Sequence, residues 1–249
     1  TVVLVAVPQT GTPQALGVVL HGYDHGIPKD WVSFLLSPQV AREFAYNDPM
    51  AHHLLPSAAY FNGEGSTVRT PLATFNDGVA TQIFTDRYGD TIDNATELHD
   101  FLLGAEGRPL VAVNNLNEPT VLRPGLLSYG EGVHANLDTW MPPSNIAVHE
   151  IAGWGEDTVA GITYDNDRKC IARILFVCTQ YMDTLRYKPD LVVDGDGTVV
   201  APSALAMSTS TPNVNRWWVD LKNYNKDHPV ESGILGREHA SILEVPQLH

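Results

Sequence analysis

The sequence predicts an α/β fold built on a mostly parallel sheet, and three observations carry that prediction. Val2 to Val7 is a near-continuous apolar run, the pattern of a strand buried on both faces. Ile146 to Ile151, Leu191 to Val193 and Trp217 to Leu221 are further short apolar runs bounded by turn residues or by helical spacing. Val192-Val193-Asp194-Gly195-Asp196-Gly197-Thr198-Val199-Val200 sets two carboxylates on a tight turn at a strand end. In α/β folds several strand ends converge on one crevice, so such a turn is a place for chemistry.

The chain has 249 residues, enough for one large domain or a domain with an insertion. Its 43% hydrophobic and 18% charged content belongs to a packed globular protein and excludes a disordered one. The formal net charge of −14 opposes nucleic acid and anionic membrane surfaces, and no Lys/Arg cluster breaks that pattern. No apolar run approaches about 20 residues, so no transmembrane segment is expected. No signal peptide is read; Thr1 opens directly into a strand, and a preceding segment is expected. Asn94-Ala95-Thr96 is a glycosylation sequon, but sequons occur by chance and this one proves nothing about secretion; the compartment stays open, with a secreted or extracytoplasmic one slightly favoured.

Two cysteines, Cys170 and Cys178, are present. On one extended strand their spacing covers about 26 Å, beyond disulfide reach. No turn signal lies between Ile171 and Val177, so two buried thiols are expected, and the spacing is not that of a zinc site.

Taken in order, Val2–Val7 is followed by a loop at Pro8-Gln9-Thr10-Gly11-Thr12-Pro13, and residues 14–20 read as a helix start or a second buried piece. His21-Gly22-Tyr23-Asp24-His25-Gly26 could bind metal, but a polar loop is the better reading because no further ligand is placed. Residues 28–46 read as helix, with Ser37 as N-cap and Pro38 at the first helical position. Asn47-Asp48-Pro49 breaks it. Residues 62–93 lack a sustained period and read as loops and small strands. Asn94 with Glu97 starts a short helix through Leu98, Phe101 and Leu102 that Gly104 closes. Residues 105–145 are mixed, with a brief strand at Leu110–Val113. Ile171–Val177 reads as a strand, Pro202–Met207 as a short helix, residues 225–236 as a loop, and Ala240–Leu243 as the start of a terminal helix.

Asp196 on its turn is followed about forty residues later by His239. An acid on a turn and a later histidine suit nucleophilic catalysis. A histidine takes the proton of a serine hydroxyl, and a buried carboxylate fixes the imidazole tautomer and stabilises the imidazolium. The plainer reading is that Asp196 caps a turn and His239 caps the terminal helix. Trp31, Phe34, Leu35 and Leu36 could line an acyl-chain site, though such a cluster is more often simply the packing core of its own segment.

Five motifs occur in order: the loop after Val2–Val7, Asn47-Asp48-Pro49 running on to Pro56-Ser57 and Tyr60-Phe61, Ile151-Ala152-Gly153-Trp154-Gly155, Asp194 to Val199, and His239-Ala240-Ser241-Ile242-Leu243. In that order the chain resembles the lecithin:cholesterol acyltransferase-like group of α/β-hydrolases, which includes lipases, phospholipases and acyltransferases. The resemblance implies an α/β-hydrolase-type sheet seen from its sixth strand: Val2–Val7 sixth, Ile146–Ile151 seventh, Trp217–Leu221 eighth. It implies a core of residues 1–19 and 146–249 and a cap inserted as residues 20–145. The family's acid falls on Asp196, with Asp194 as runner-up, and its base on His239. Substrates would be lipid or other ester small molecules, with no cofactor and no metal.

The departure is the nucleophile. The family's Gly-x-Ser-x-Gly elbow precedes the sixth strand, and no such pentapeptide occurs in this sequence. The expected partner is therefore an upstream half of the same enzyme that carries the serine. Three alternatives remain open. Asp194-x-Asp196-Gly197-Thr198 also matches the first motif of haloacid-dehalogenase-type phosphatases, where magnesium assists, although only about fifty residues follow. Thr1 could be an N-terminal nucleophile with its own amine as base. The chain could also be a non-catalytic hydrolase-like binding module.

Overall fold

The computed structural model describes residues 1–22, 37–62, 71–112, 114–207, 210–229 and 236–245. The fold is mixed α/β. Strand β1 (Val2–Val5) leads through an extended Thr12 and a first-turn Pro13 into helix α1 (Pro13–His21), closed by Gly22 in the left-handed conformation. Ser37 caps α2 (Pro38–Asn47) by accepting the Val40 N–H at 3.3 Å. Asp48 ends α2 and caps α3 (Pro49–His53) by accepting the Met50 N–H, so Asn47-Asp48-Pro49 is a change of direction between two helices. Helix α4 (Ala58–Asn62), strand β2 (Ala73–Phe75), helix α5 (Gln82–Tyr88) and strand β3 (Thr91–Ile92) follow. Asn94 caps α6 (Ala95–Leu103) through the Glu97 N–H, and Gly104 ends it in the left-handed region.

Helix α7 (Pro124–Leu137) is the longest among the described residues, in a stretch that the sequence pattern left as mixed. Its Gly125, Gly130 and Gly132 interrupt the apolar period; Gly130 is needed because a Cβ there would meet the His52 carbonyl of α3 at 2.7 Å. The expected strand at Leu110–Val113 is irregular chain over 110–112, and Val113 lies outside the described residues. Strands β4 (Val148–Trp154), β5 (Thr158–Ile174) and β6 (Val177–Val192), helix α8 (Ala201–Ala204), strand β7 (Val214–Asp220) and helix α9 (Leu221–Asp227) complete the chain, with a 3-10 helix over His239–Glu244.

Two sheets result. One is parallel throughout, in the order β1-β4-β7; the other is mixed, in the order β3-β2-β5-β6. Strand β4 is central in the parallel sheet and buried on both faces. Ile151 packs with Val219, Leu221, Tyr224 and Ile242, while the next residue, Ala152, packs with Val199, Ala201 and Ala204. The larger core lies under the mixed sheet, where Leu16, Leu20, Phe75, Phe101 and Tyr164 meet. Strand β5 joins β2 in parallel, Ala73 opposite Ile162, so residues 158–192 share a sheet with strands from the expected 20–145 insertion.

Four expectations are corrected. Val2–Val7 is not buried on both faces: it ends as a strand at Val5, Val3 is 54% exposed, and β1 is an edge among the described residues. Ile171–Val177 is not a single strand but the end of a hairpin that turns at Leu175–Phe176, with Leu175 at φ 55°. No Gly or Asn marks that turn, so turn chemistry could not disclose it. The turn brings Cys170 and Cys178 to a Cα separation of 5.9 Å, and they form a disulfide rather than two buried thiols. Leu191 and Val193 are half-exposed, because they end the outer strand β6 rather than a buried one.

Beneath the parallel sheet, Glu150 of β4 is fully buried. Its Oε1 accepts from Gln9 Nε2 at 2.7 Å and the Met207 N–H at 3.2 Å, and its Oε2 lies 3.1 Å from Arg216 Nε of β7. Arg216 also donates to the Met207 carbonyl. Removing one partner of a buried ion pair strands the other charge, so Arg216→Met should cost about 3–5 kcal/mol. Glu150→Gln combined with Arg216→Met should cost less than the sum of the single changes. Urea unfolding midpoints check this, and an unchanged midpoint for Arg216→Met would refute it.

Candidate active site

The loop from Asp194 to Val200 is held at the carboxyl end of β4. Gly155 N–H donates to the Val193 carbonyl at 2.8 Å and Glu156 N–H to the Gly195 carbonyl at 3.1 Å. Thr158 Oγ1 accepts the Gly197 N–H at 2.8 Å and donates to the Glu156 carbonyl at 2.9 Å. Gly195 leaves room for Thr158, since a Cβ there would lie 2.5 Å from Thr158 Oγ1. From the other side, Thr12 Oγ1 donates to the Thr198 carbonyl at 2.7 Å, and Ser203 Oγ donates to the Gly11 carbonyl at 2.6 Å. The loop after β1 is thereby fastened to the acid loop.

Asp196 is 1% exposed, and its carboxylate is fully engaged. Oδ1 accepts the Thr198 and Val199 N–H groups at 3.1 and 2.8 Å, while Oδ2 lies 2.9 Å from His239 Nδ1. The His239 backbone N–H also donates to the Asp196 carbonyl at 2.8 Å, so the two residues are joined twice. Gly153 makes the packing possible: a Cβ there would sit 2.8 Å from Asp196 Cβ and from Leu221 Cδ1. The histidine segment is braced by Asn225, which accepts the Arg237 N–H and donates to the Arg237 carbonyl and to Glu156 Oε1. Glu238 and Ser241 form a reciprocal cap on the 3-10 helix that His239 opens.

The hydrogen bond from Asp196 raises the His239 pKa above the ordinary histidine range, against the opposing effect of burial. With Nδ1–H directed at Asp196, the neutral tautomer has its lone pair on Nε2. Among the described residues nothing hydrogen-bonds Nε2, and the side chain is 32% exposed. The arrangement offers a proton acceptor, oriented by a buried anion, at the carboxyl ends of parallel strands.

Asp194, the runner-up acid, is not part of this pair. Its carboxyl is raised by burial and it faces Tyr60, whose hydroxyl is raised by burial and by the nearby Asp194 charge. Thr1 lies before Val2, which pairs with Val148 at the start of β4, the end of the sheet remote from Asp196. His21 is a core residue: Nδ1 and Nε2 bond the Leu116 carbonyl and the Tyr164 hydroxyl, and its ring stacks on Tyr187 at 3.8 Å. Burial lowers its pKa to about 3. The remainder of that motif, Tyr23 to Gly26, lies outside the described residues, as do Trp31, Phe34, Leu35 and Leu36.

Sequence reasoning missed a second acid–histidine pair, this one with a serine beside it. Ser57 Oγ donates to Asp138 Oδ2 at 2.6 Å, and His134 Nδ1 lies 2.9 Å from Asp138 Oδ1. Its order is wrong for nucleophile activation, because the carboxylate stands between the hydroxyl and the imidazole. His134 Nε2 meets the His53 carbonyl at 2.7 Å, so both ring nitrogens face acceptors and the pKa is raised, first by Asp138. The cluster clamps the turn after α3 to the end of α7. Thr158 and Asn225 also escaped notice, since both lie outside the motifs. Gly153 and Gly155 carried the usable signal, because glycine in a strand pattern marks a close approach.

By proton NMR titration, His239 should titrate above the ordinary value of about 6.5. Asp196→Asn should bring it down, because the anion that favours the imidazolium is gone. The linkage sign follows: the pair's charged form stabilises the fold fully below about pH 6.5, and that part is lost as pH rises through the raised value. A His239 value at or below 6.5, or one unmoved by Asp196→Asn, contradicts the assigned pairing. No protein-family model matches the chain, and no curated protein matches it.

Proposed function

We propose that the chain is the acid- and base-bearing part of an α/β-hydrolase of the lecithin:cholesterol acyltransferase-like group. On this reading it hydrolyses or transfers an acyl group at a carboxylic ester, most naturally a lipid one. The observation that carries the reading is the Asp196–His239 hydrogen bond at 2.9 Å, with Nε2 turned away from the acid. Parallel order β1-β4-β7 supports it, because the expected sixth, seventh and eighth strands would be consecutive and parallel.

The nucleophile is a serine outside these residues, on a strand that would add to the free edge of β1. Over one face of β1 lies an apolar groove of about 700 Å³, lined by Val2, Leu4, Val7, Trp140 and Met141 among others. In the reaction His239 Nε2 takes the serine proton as Oγ bonds the ester carbonyl carbon. Asp196 stabilises the imidazolium through Nδ1–H. As the tetrahedral intermediate collapses, the ester C–O bond breaks and the leaving alkoxide receives the proton from Nε2. Water or an alcohol, deprotonated in turn by His239, releases the acyl group. The disulfide at Cys170–Cys178 fits an oxidising compartment, where such bonds persist.

The test compares two asparagines in the whole enzyme, with nitrophenyl acyl esters as substrates. Asp196→Asn should lower kcat by about 10⁴, by the logic of other triads, and Asp194→Asn much less. The acid limb of kcat/KM should lie above about pH 6.5, since His239 must be neutral to accept a proton. Equal losses, or a larger loss at Asp194, would overturn the assignment. Full activity in both variants would likewise overturn it, and no esterase activity in the unsubstituted protein would favour the binding-module reading.

A further inference from the structure

The β5–β6 hairpin leaves its sheet as a two-stranded ribbon. Among the described residues β2 pairs with β5 only as far as Tyr164, and from Asp165 opposite Arg186 outward β5 and β6 pair with each other alone, ending at Ile174 opposite Val177. At that end Ile174, Leu175, Phe176 and Val177 are 67, 88, 98 and 67% exposed. Exposed apolar groups in this concentration mark an interaction site.

Two features decide what covers them. Neighbouring residues on a strand point to opposite faces, so the four side chains radiate around the turn. A protein surface would cover one face of such a tip, whereas fluid hydrocarbon covers every face. The second feature is charge. From Arg168 to Met182 the ribbon carries three basic residues, Arg168, Lys169 and Arg173, and no acidic one, in a chain of net charge −14. Arg168 lies over the Tyr181 ring at 4.6 Å, and Lys169 is also 3.4 Å from Asp167. An apolar end with a collar of tyrosine and basic residues matches the headgroup boundary of a bilayer. The remote negative charge is screened beyond about 8 Å at physiological salt, so the local collar governs close approach. The Cys170–Cys178 disulfide closes the ribbon just behind the tip and holds the apolar residues as one loop.

We propose that the β5–β6 tip docks the protein on the surface of a lipid bilayer, with Leu175 and Phe176 inserted and Arg168, Lys169 and Arg173 facing anionic headgroups. Insertion is shallow, on the order of 5–10 Å, because the outer edges of a two-stranded ribbon carry unpaired backbone groups that hydrocarbon does not satisfy. None of the described helices is long and apolar enough to cross a membrane. Docking stands apart from the acyl-transfer reading and is tested without it.

Flotation of the whole protein with phosphatidylcholine vesicles, with and without added phosphatidylglycerol, provides the test. The wild-type protein floats with both, more strongly with the anionic vesicles, and that excess falls as salt rises. Leu175→Ser with Phe176→Ser reduces binding about tenfold or more, while intact disulfide and unchanged circular dichroism show that the fold persists. Arg168→Gln, Lys169→Gln and Arg173→Gln together remove only the anionic preference. Phe176→Trp gives a blue-shifted emission on vesicle addition. Absence of flotation, or equal flotation of wild type and tip variant, overturns the proposal. So does a concentration-dependent dimer that the tip variant abolishes without any vesicle binding, which would make the tip an interface between copies.

Discussion

A buried carboxylate must be satisfied where it stands, and the loops around Asp196 are arranged to do that. Two backbone N–H groups and one imidazole N–H account for its oxygens. Each donor depends on a different part of the chain. The Thr198 and Val199 amides need the turn that Gly197 permits at φ 91°. The imidazole needs the segment braced by Asn225 and Glu156. The carboxylate needs the space that Gly153 leaves beside β4. An unpaired carboxylate at this depth would be costly, so the three donors and the burial of Asp196 depend on one another.

The sheet explains why these parts meet. Parallel strands deliver all their carboxyl ends to one side, and β4, buried on both faces, is the fixed element to which the acid loop is stitched. The Glu150–Arg216 pair locks β4 to β7 from beneath, and Gln9 adds the loop after β1 to the same carboxylate. The β5–β6 hairpin is inserted between the end of β4 and the acid loop, so a long, outward-reaching ribbon starts and ends within a few residues of the candidate site.

Much of the local structure was legible in the residues. Ser37-Pro38 and Asn94 with Glu97 mark helix starts by hydrogen bonds the backbone itself requires, and both are present. The acid and the histidine were legible as residue types in order, an aspartate on a glycine turn and a later histidine. Their contact is a tertiary fact that no spacing encodes. The misses have physical causes. Val2–Val7 reads as a strand buried on both faces, but an apolar run cannot report which neighbours a strand has, and β1 has one among the described residues. The hairpin turn at Leu175–Phe176 carries no turn residue, so the cysteines seemed too far apart along one strand. Helix α7 was hidden by its glycines, one of which is demanded by the close approach of α3.

The claim on which the account rests is that His239 Nε2 serves a serine nucleophile at the carboxyl end of β4. The most direct measurement is the crystal structure of the whole protein after reaction with a fluorophosphonate. The account predicts a phosphonylated serine, outside this numbering, with its Oγ within about 2.6–3.2 Å of His239 Nε2 and His239 Nδ1 still on Asp196. An adduct on Thr1 or on one of this chain's own serines, or an adduct out of reach of His239, would contradict it.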